Sequence, residues 1–181
     1  MILTDREIRI ALTKGQIVVS PTPSQEAFSS TSLDLTLDSI LNIYKDQTTG
    51  VEQIIDPTVQ DLDHEAVLDE LTTKKSIPND GYVLNHENFI LGWTAETIKL
   101  PVNARLAARV EGKSSLARFG LGIHITAPTI HAGFRGRIRL EIFNNNIIPI
   151  RLKTGMRICQ LIFELTLGTP DKGYQGQFLG Q

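Results

Sequence analysis

Residues 137–143, Arg137-Ile138-Arg139-Leu140-Glu141-Ile142-Phe143, alternate polar and apolar side chains without a break. A repeat of two is the repeat of a strand with one buried face. Ile138, Leu140 and Ile142 then share one side, and Arg137, Arg139 and Glu141 share the other. Ser32-Leu33-Asp34-Leu35-Thr36-Leu37 has the same rhythm, with the leucines inward and Asp34 outward or at an interface. Tyr82 to Leu84, Phe89 to Thr94, Leu106 to Val110, Leu121 to Thr126, Pro149 to Leu152 and Met156 to Leu165 read as further strands at hairpin-length spacing. No helical pattern of about 10–15 residues recurs between them, which disfavours a doubly wound α/β fold. The expected fold is mainly β, a distorted barrel or jelly roll.

Outside the strands, Thr4 or Asp5 can cap a helix that runs to about Lys14 and ends at Gly15. From Asn42 to Ser76 the chain is acidic and uneven. Its Asp61-Leu62-Asp63-His64-Glu65 cluster is read as part of a solvated insertion in preference to a divalent-metal site. Residues 1–168 are expected to form one domain, followed by a Gly- and Gln-rich tail, 169–181.

At 181 residues, with 41% hydrophobic and 21% charged residues, the composition is that of an ordinary soluble globular protein. The single cysteine, Cys159, rules out an internal disulfide and the paired cysteines of a zinc-dependent deaminase. It lies in the apolar run MRICQLIF and reads as a small buried hydrophobe. No apolar run reaches the roughly 18 residues of a membrane span, and the N-terminal residues are charged, so a cytoplasmic protein is expected. Between Lys99 and Arg157, eleven Lys and Arg stand against two acids, Glu111 and Glu141. These cations are dispersed among strands without interleaved aromatics, a pattern that suits a small polyanion better than nucleic acid.

Part of that basic segment is Gly112-Lys113-Ser114-Ser115, with Arg118 just beyond. A turn offering backbone N–H groups, an ammonium and two hydroxyls suits an oligophosphate. It is no P-loop, because Ala107 stands where the first glycine is needed and no helix pattern follows. On the alternating strand, Glu141 is an acid among cations, able either to move protons for a bound molecule or merely to pair across strands.

Taken together, EGKSSLARFGL (Glu111 to Leu121), HITAP (His124 to Pro128), HAGFRG (His131 to Gly136) and RLEIFN (Arg139 to Asn144) resemble the conserved blocks of the dCTP deaminase and dUTPase superfamily, and dCTP deaminases more than trimeric dUTPases. The resemblance implies a dUTPase-like fold and zinc-independent hydrolysis of dCTP to dUTP and ammonia in pyrimidine deoxynucleotide metabolism. It also implies a homotrimer, with Mg²⁺ bound through the substrate triphosphate. By resemblance Glu141 is the general base and acid, Arg118 orients it, and Ser114 with the Ala127 carbonyl holds the attacking water. Lys113, Ser115, His131, Tyr174 and Gln177 are the implied substrate contacts, the last two on a tail that serves the family as a lid. No residue is implied as a metal ligand.

Several positions depart from the family pattern. Thr36 and Asp38 replace a basic residue and a glycine, Lys113 replaces arginine, and Gly173 replaces the lysine before the lid tyrosine. His131 stands where an acid is usual, the acid with which trimeric dUTPases activate water against phosphorus. That substitution disfavours a dUTP diphosphatase or a bifunctional deaminase and diphosphatase. A non-catalytic nucleotide-binding regulator is the alternative from outside the enzymes. His124, on a strand beside Ile123, reads more readily as structural than as active.

Overall fold

The computed structural model describes residues 1–45, 54–124, 126–174 and 176. Its first half runs α1 (Asp5–Thr13), β1 (Val18–Ser20), β2 (Phe28–Ser29), β3 (Ser32–Thr36), β4 (Ile40–Tyr44), α2 (His64–Leu71), β5 (Thr72–Ser76) and β6 (Tyr82–Leu84). The second half runs β7 (Phe89–Lys99), β8 (Leu106–Gly112), α3 (Ser114–Ala117), β9 (Leu121–Ile123), β10 (Thr129–Ile130), β11 (Arg135–Asn144), β12 (Ile150–Leu152) and β13 (Arg157–Leu165). The fold is mainly β, as the alternating stretches predict. Gly15, at φ +68°, ends the first helix where expected, a backbone conformation that glycine adopts without steric cost.

The strands do not close into one barrel. One sheet has the order β5-β4-β7-β11-β9, with β1 also on β7, and a second has the order β10-β8-β13-β3-β2; β12 and β6 form a separate ribbon. Both sheets feed one apolar core, with Leu33, Leu35, Val110, Leu161 and Phe163 from the second meeting Ile90, Ile98, Ile138, Leu140 and Ile142 from the first. Leu140 is fully buried, and truncating such a side chain to alanine costs about 2–5 kcal/mol.

With Ile138, Leu140 and Ile142 committed to the core, β11 turns Arg137, Arg139 and Glu141 to the outer face of the first sheet. In the β11–β7 register Arg139 stands opposite Trp93, and Glu141 opposite Leu91.

The segment read as a solvated insertion is more ordered than its composition suggests. β4 and β5 pair from Ile40↔Ser76 to Tyr44↔Thr72. Between them α2 is capped by Asp63, whose side chain accepts from the N–H groups of Glu65 and Ala66. The acidic cluster therefore begins a helix. Asp34 is also more enclosed than expected: its carboxylate is buried and lies 2.5 Å from the Lys113 ammonium.

Candidate active site

Glu141 opens from β11 into a cavity of about 520 Å³. Leu91 and Phe89 of β7 line it beside Arg139, and Val67, Leu68 and Leu71 of α2 line it as well. His124, Ala127 and His131 enter from the segment that joins β9 to β11.

His124 is set by strand pairing. Ile123 stands opposite Ile142, and the next backbone N–H, that of His124, donates to the Glu141 carbonyl at 2.8 Å. There the chain turns, with His124 in the left-handed region at φ +54°, a conformation costing a non-glycine residue about 1–2 kcal/mol. Each nitrogen of the imidazole has an oxygen beside it: Nε2 lies 2.8 Å from the Ala127 carbonyl oxygen and Nδ1 lies 3.1 Å from Glu141 Oε2.

Those contacts assign the tautomer. A carbonyl oxygen only accepts, so Nε2 carries a hydrogen. Nδ1 then faces Glu141 Oε2 across 3.1 Å. The approach is out of line for a hydrogen bond. His124 Nδ1, Glu141 Oε2 and Arg139 Nε are buried and make no hydrogen bond among the described residues. A buried polar group without a partner costs about 1–3 kcal/mol, so a polar ligand gains by supplying partners in the cavity that all three residues line.

The two cavity-lining cations beside Glu141 on β11 are already paired. Arg137 holds Asp38, and Arg139 holds Glu65 of α2 through both terminal nitrogens, at 2.7 and 2.9 Å. Trp93 lies beneath them, with the Arg139 guanidinium 4.3 Å and the Arg137 guanidinium 5.5 Å from its ring centroid. Burial pushes the phenol of Tyr44, also on the cavity, above its ordinary range, with Arg139 opposing and Glu141 adding to the shift.

Two departures from the family pattern have local partners. Thr36 donates from its N–H and hydroxyl to the buried Glu96 carboxylate at 2.9 and 2.8 Å, and Asp38 is the acid that holds Arg137.

The residues singled out from the sequence fall into two groups. Glu141, Ala127, His131 and Tyr174 all line the cavity. The Tyr174 ring stacks on His131, with centroids 5.8 Å apart and planes 11° from parallel, and its N–H donates to the Ala132 carbonyl at 2.9 Å. Gln177 lies outside the described residues. Lys113, Ser114, Ser115 and Arg118 sit at the end of β8 and on α3 and do not line the cavity. The short helix was not foreseen. Ser114, Ser115 and Arg118 are exposed, whereas Lys113 reaches Asp34. Gln160 supports the turn by donating to the Gly112 carbonyl at 3.0 Å.

Sequence reasoning passed over three features of the cavity: the His124 contact, the Arg139–Glu65 pair and the helix that carries Glu65. Alternation alone offered a signal for the first, since Gly122 and His124 share a parity opposite to buried Leu121 and Ile123.

Residues 2–166 match the family model described as dCTP deaminase-like. The chain is 34% identical over 175 residues to a dCTP deaminase of Rhodospirillum rubrum, covering 96% of this chain and 87% of that one. It is 33% identical over 188 residues to a "dCTP deaminase, dUMP-forming" of Methanosphaera stadtmanae, covering 99% and 89%. The crystal structure of 2'-deoxycytidine 5'-triphosphate deaminase from Agrobacterium tumefaciens has the same fold, with a TM-score of 0.67 at 22% identity over 91% of this chain and 47% of that longer one. The chain belongs to the dCTP deaminase-like family. Among its described residues no helix is long and apolar enough to cross a membrane.

Proposed function

We propose that this chain is a zinc-independent dCTP deaminase that hydrolyses dCTP to dUTP and ammonia in the cytoplasm. The observation that carries the reading is the half-enclosed Glu141 carboxyl beside His124, with an unbonded oxygen in a cavity large enough for a nucleobase. Mg²⁺ would arrive on the triphosphate as part of the substrate.

Deamination at C4 needs a base for the attacking water and an acid for the ring and the leaving nitrogen. Glu141 takes a proton from water as its oxygen bonds to C4, passes that proton to N3, and carries the second water proton to the amino group. The C4–N bond then breaks, ammonia leaves and C4 keeps the oxygen as a carbonyl. The Nε2–H of His124 engages the Ala127 carbonyl, which retains a second lone pair for the water.

The phosphate turn supports a homotrimer. Within one chain Lys113, Ser114, Ser115 and Arg118 lie away from the Glu141 cavity, so a complete site takes its base pocket from one subunit and its phosphate contacts and Arg118 from another. His131 and Tyr174 border the pocket as sugar contacts.

The test is incubation of the pure protein with Mg²⁺ and dCTP, or separately dUTP, with nucleotides, ammonia and pyrophosphate followed over time. The expected products from dCTP are dUTP and ammonia. Conversion to dUMP with pyrophosphate would assign diphosphatase chemistry as well, despite His131. Binding without any product would make the protein a nucleotide-responsive regulator.

A further inference from the structure

α2 is placed unlike an ordinary surface helix. Val67, Leu68 and Leu71 line the cavity, yet no residue of the helix is buried. Core packing therefore does not hold it, and eight residues are too few to be stable alone. Its two ends are fastened differently. At the C-terminal end the chain passes straight into β5, the Lys45 N–H donates to the Leu71 carbonyl at 2.9 Å, and the Lys45 ammonium reaches the Glu70 carbonyl. At the N-terminal end Glu65 grips Arg139, whose guanidinium lies over Trp93.

We infer that the Glu65–Arg139 pair is a latch, which holds α2 closed as the roof of the pocket above Glu141 and opens about the α2–β5 junction to admit the nucleotide. Glu65 and Arg139 are thus positioning residues: one sits on the roof and the other on the strand that carries Glu141, two positions away on the same face. A planar guanidinium gripped at both terminal nitrogens and stacked on an indole has one favoured orientation, which a lysine cannot reproduce. The latch rests on the deaminase reading only for the identity of what enters.

Two measurements test it on the full-length protein. Hydrogen exchange of the α2 amides, read without nucleotide, reports the roof directly. In Glu65→Gln and in Arg139→Lys those amides should exchange about 5-fold faster or more, while β11 amides keep their protection, the loss expected when roughly 1 kcal/mol of local closure is removed. Trp93 is the sole tryptophan, so its emission should also change in Glu65→Gln, where the guanidinium remains but loses the carboxylate that fixes it over the ring. With dCTP, Glu65→Gln should raise KM several-fold and leave kcat within about twofold, the signature of lost uniform binding. Unchanged α2 exchange in both variants overturns the latch, and so does faster exchange with an unchanged KM. If the wild-type protein turns over no dCTP, the deaminase reading fails, while the exchange still decides the latch.

Discussion

Nδ1 of His124 lies 3.1 Å from Oε2 of Glu141 while Nε2 of the same ring engages the Ala127 carbonyl at 2.8 Å. The ring is thereby an arm of the carboxyl group. Asparagine tolerates the left-handed backbone at this position, where φ is +54°, but is too short to meet the Ala127 carbonyl and the Glu141 carboxyl at once as the two ring nitrogens do. His124→Asn should lower kcat by about 10²-fold, within the range of impaired general acid–base catalysis, with thermal stability little changed. A kcat near wild type would make the histidine a structural support alone.

Glu141→Gln keeps the size of the side chain and removes its basicity. Deamination should fall by about 10³-fold or more, while dCTP still binds, as equilibrium titration would read. Comparable losses of binding and turnover would mean that Glu141 holds substrate without handling protons.

Separation of the phosphate turn from the Glu141 cavity gives a sharper expectation for the assembly. Arg118→Ala and Glu141→Gln proteins should each be nearly inactive, yet co-refolded mixtures should recover a fraction of wild-type activity, because some mixed trimers contain a site with both native residues. Mixtures as inactive as their parents, in a protein that sediments as a trimer, would place both residues in a site within one subunit.

Much of this was legible in the sequence wherever one side-chain period dominated. β11 alternates in burial as in sequence, whereas β3 alternates in sequence only, with Ser32 and Asp34 buried beside Leu33 and Leu35. β6, β7, β8, β9, β12 and β13 fall on stretches that read as strands, though β9 stops at Ile123, and the two-residue β10 carried no signal. The second half of the site was not legible, because the signal there is long-range. Nothing local to Glu65 announces Arg139, 74 residues away. The charges of Asp61 to Glu65 mask the Val67, Leu68 and Leu71 face behind them, and α2 buries none of it. His124 looked structural because its neighbours are apolar, and only its pairing across to β11 brings it to Glu141.

Gly133 sits at φ +93°, and a Cβ there would come within 2.6 Å of the Tyr174 backbone nitrogen. Gly133→Ala is strained in its own backbone, by about 1 kcal/mol, and also pushes the tail from the Ala132 carbonyl. It should raise KM for dCTP and make the bonds near Tyr174 easier to cleave by limited proteolysis. Unchanged proteolysis at Tyr174 would show that the tail docks without this close approach.

Cys159 is completely buried, and burial pushes its thiol well above the ordinary value of 9.0, with Glu96 and Asp34 adding to the shift and Lys113 opposing it. The folded protein therefore keeps the thiol protonated where the unfolded chain would ionise it. Since the folded pKa is the higher one, the associated stability is fully present below about pH 9 and is lost as pH rises beyond it, at up to about 1.4 kcal/mol per pH unit. Tyr44 and Tyr82, whose phenols burial also raises, contribute the same sign of slope at higher pH, but equally in wild type and in Cys159→Ala. Urea unfolding at pH 8, 9 and 10 should then give the variant a shallower decline above pH 9, whatever constant offset the lost sulfur brings. Parallel declines would mean that water reaches the thiol in the folded state, in which case Cys159 should also react with thiol reagents at the rate of an exposed cysteine.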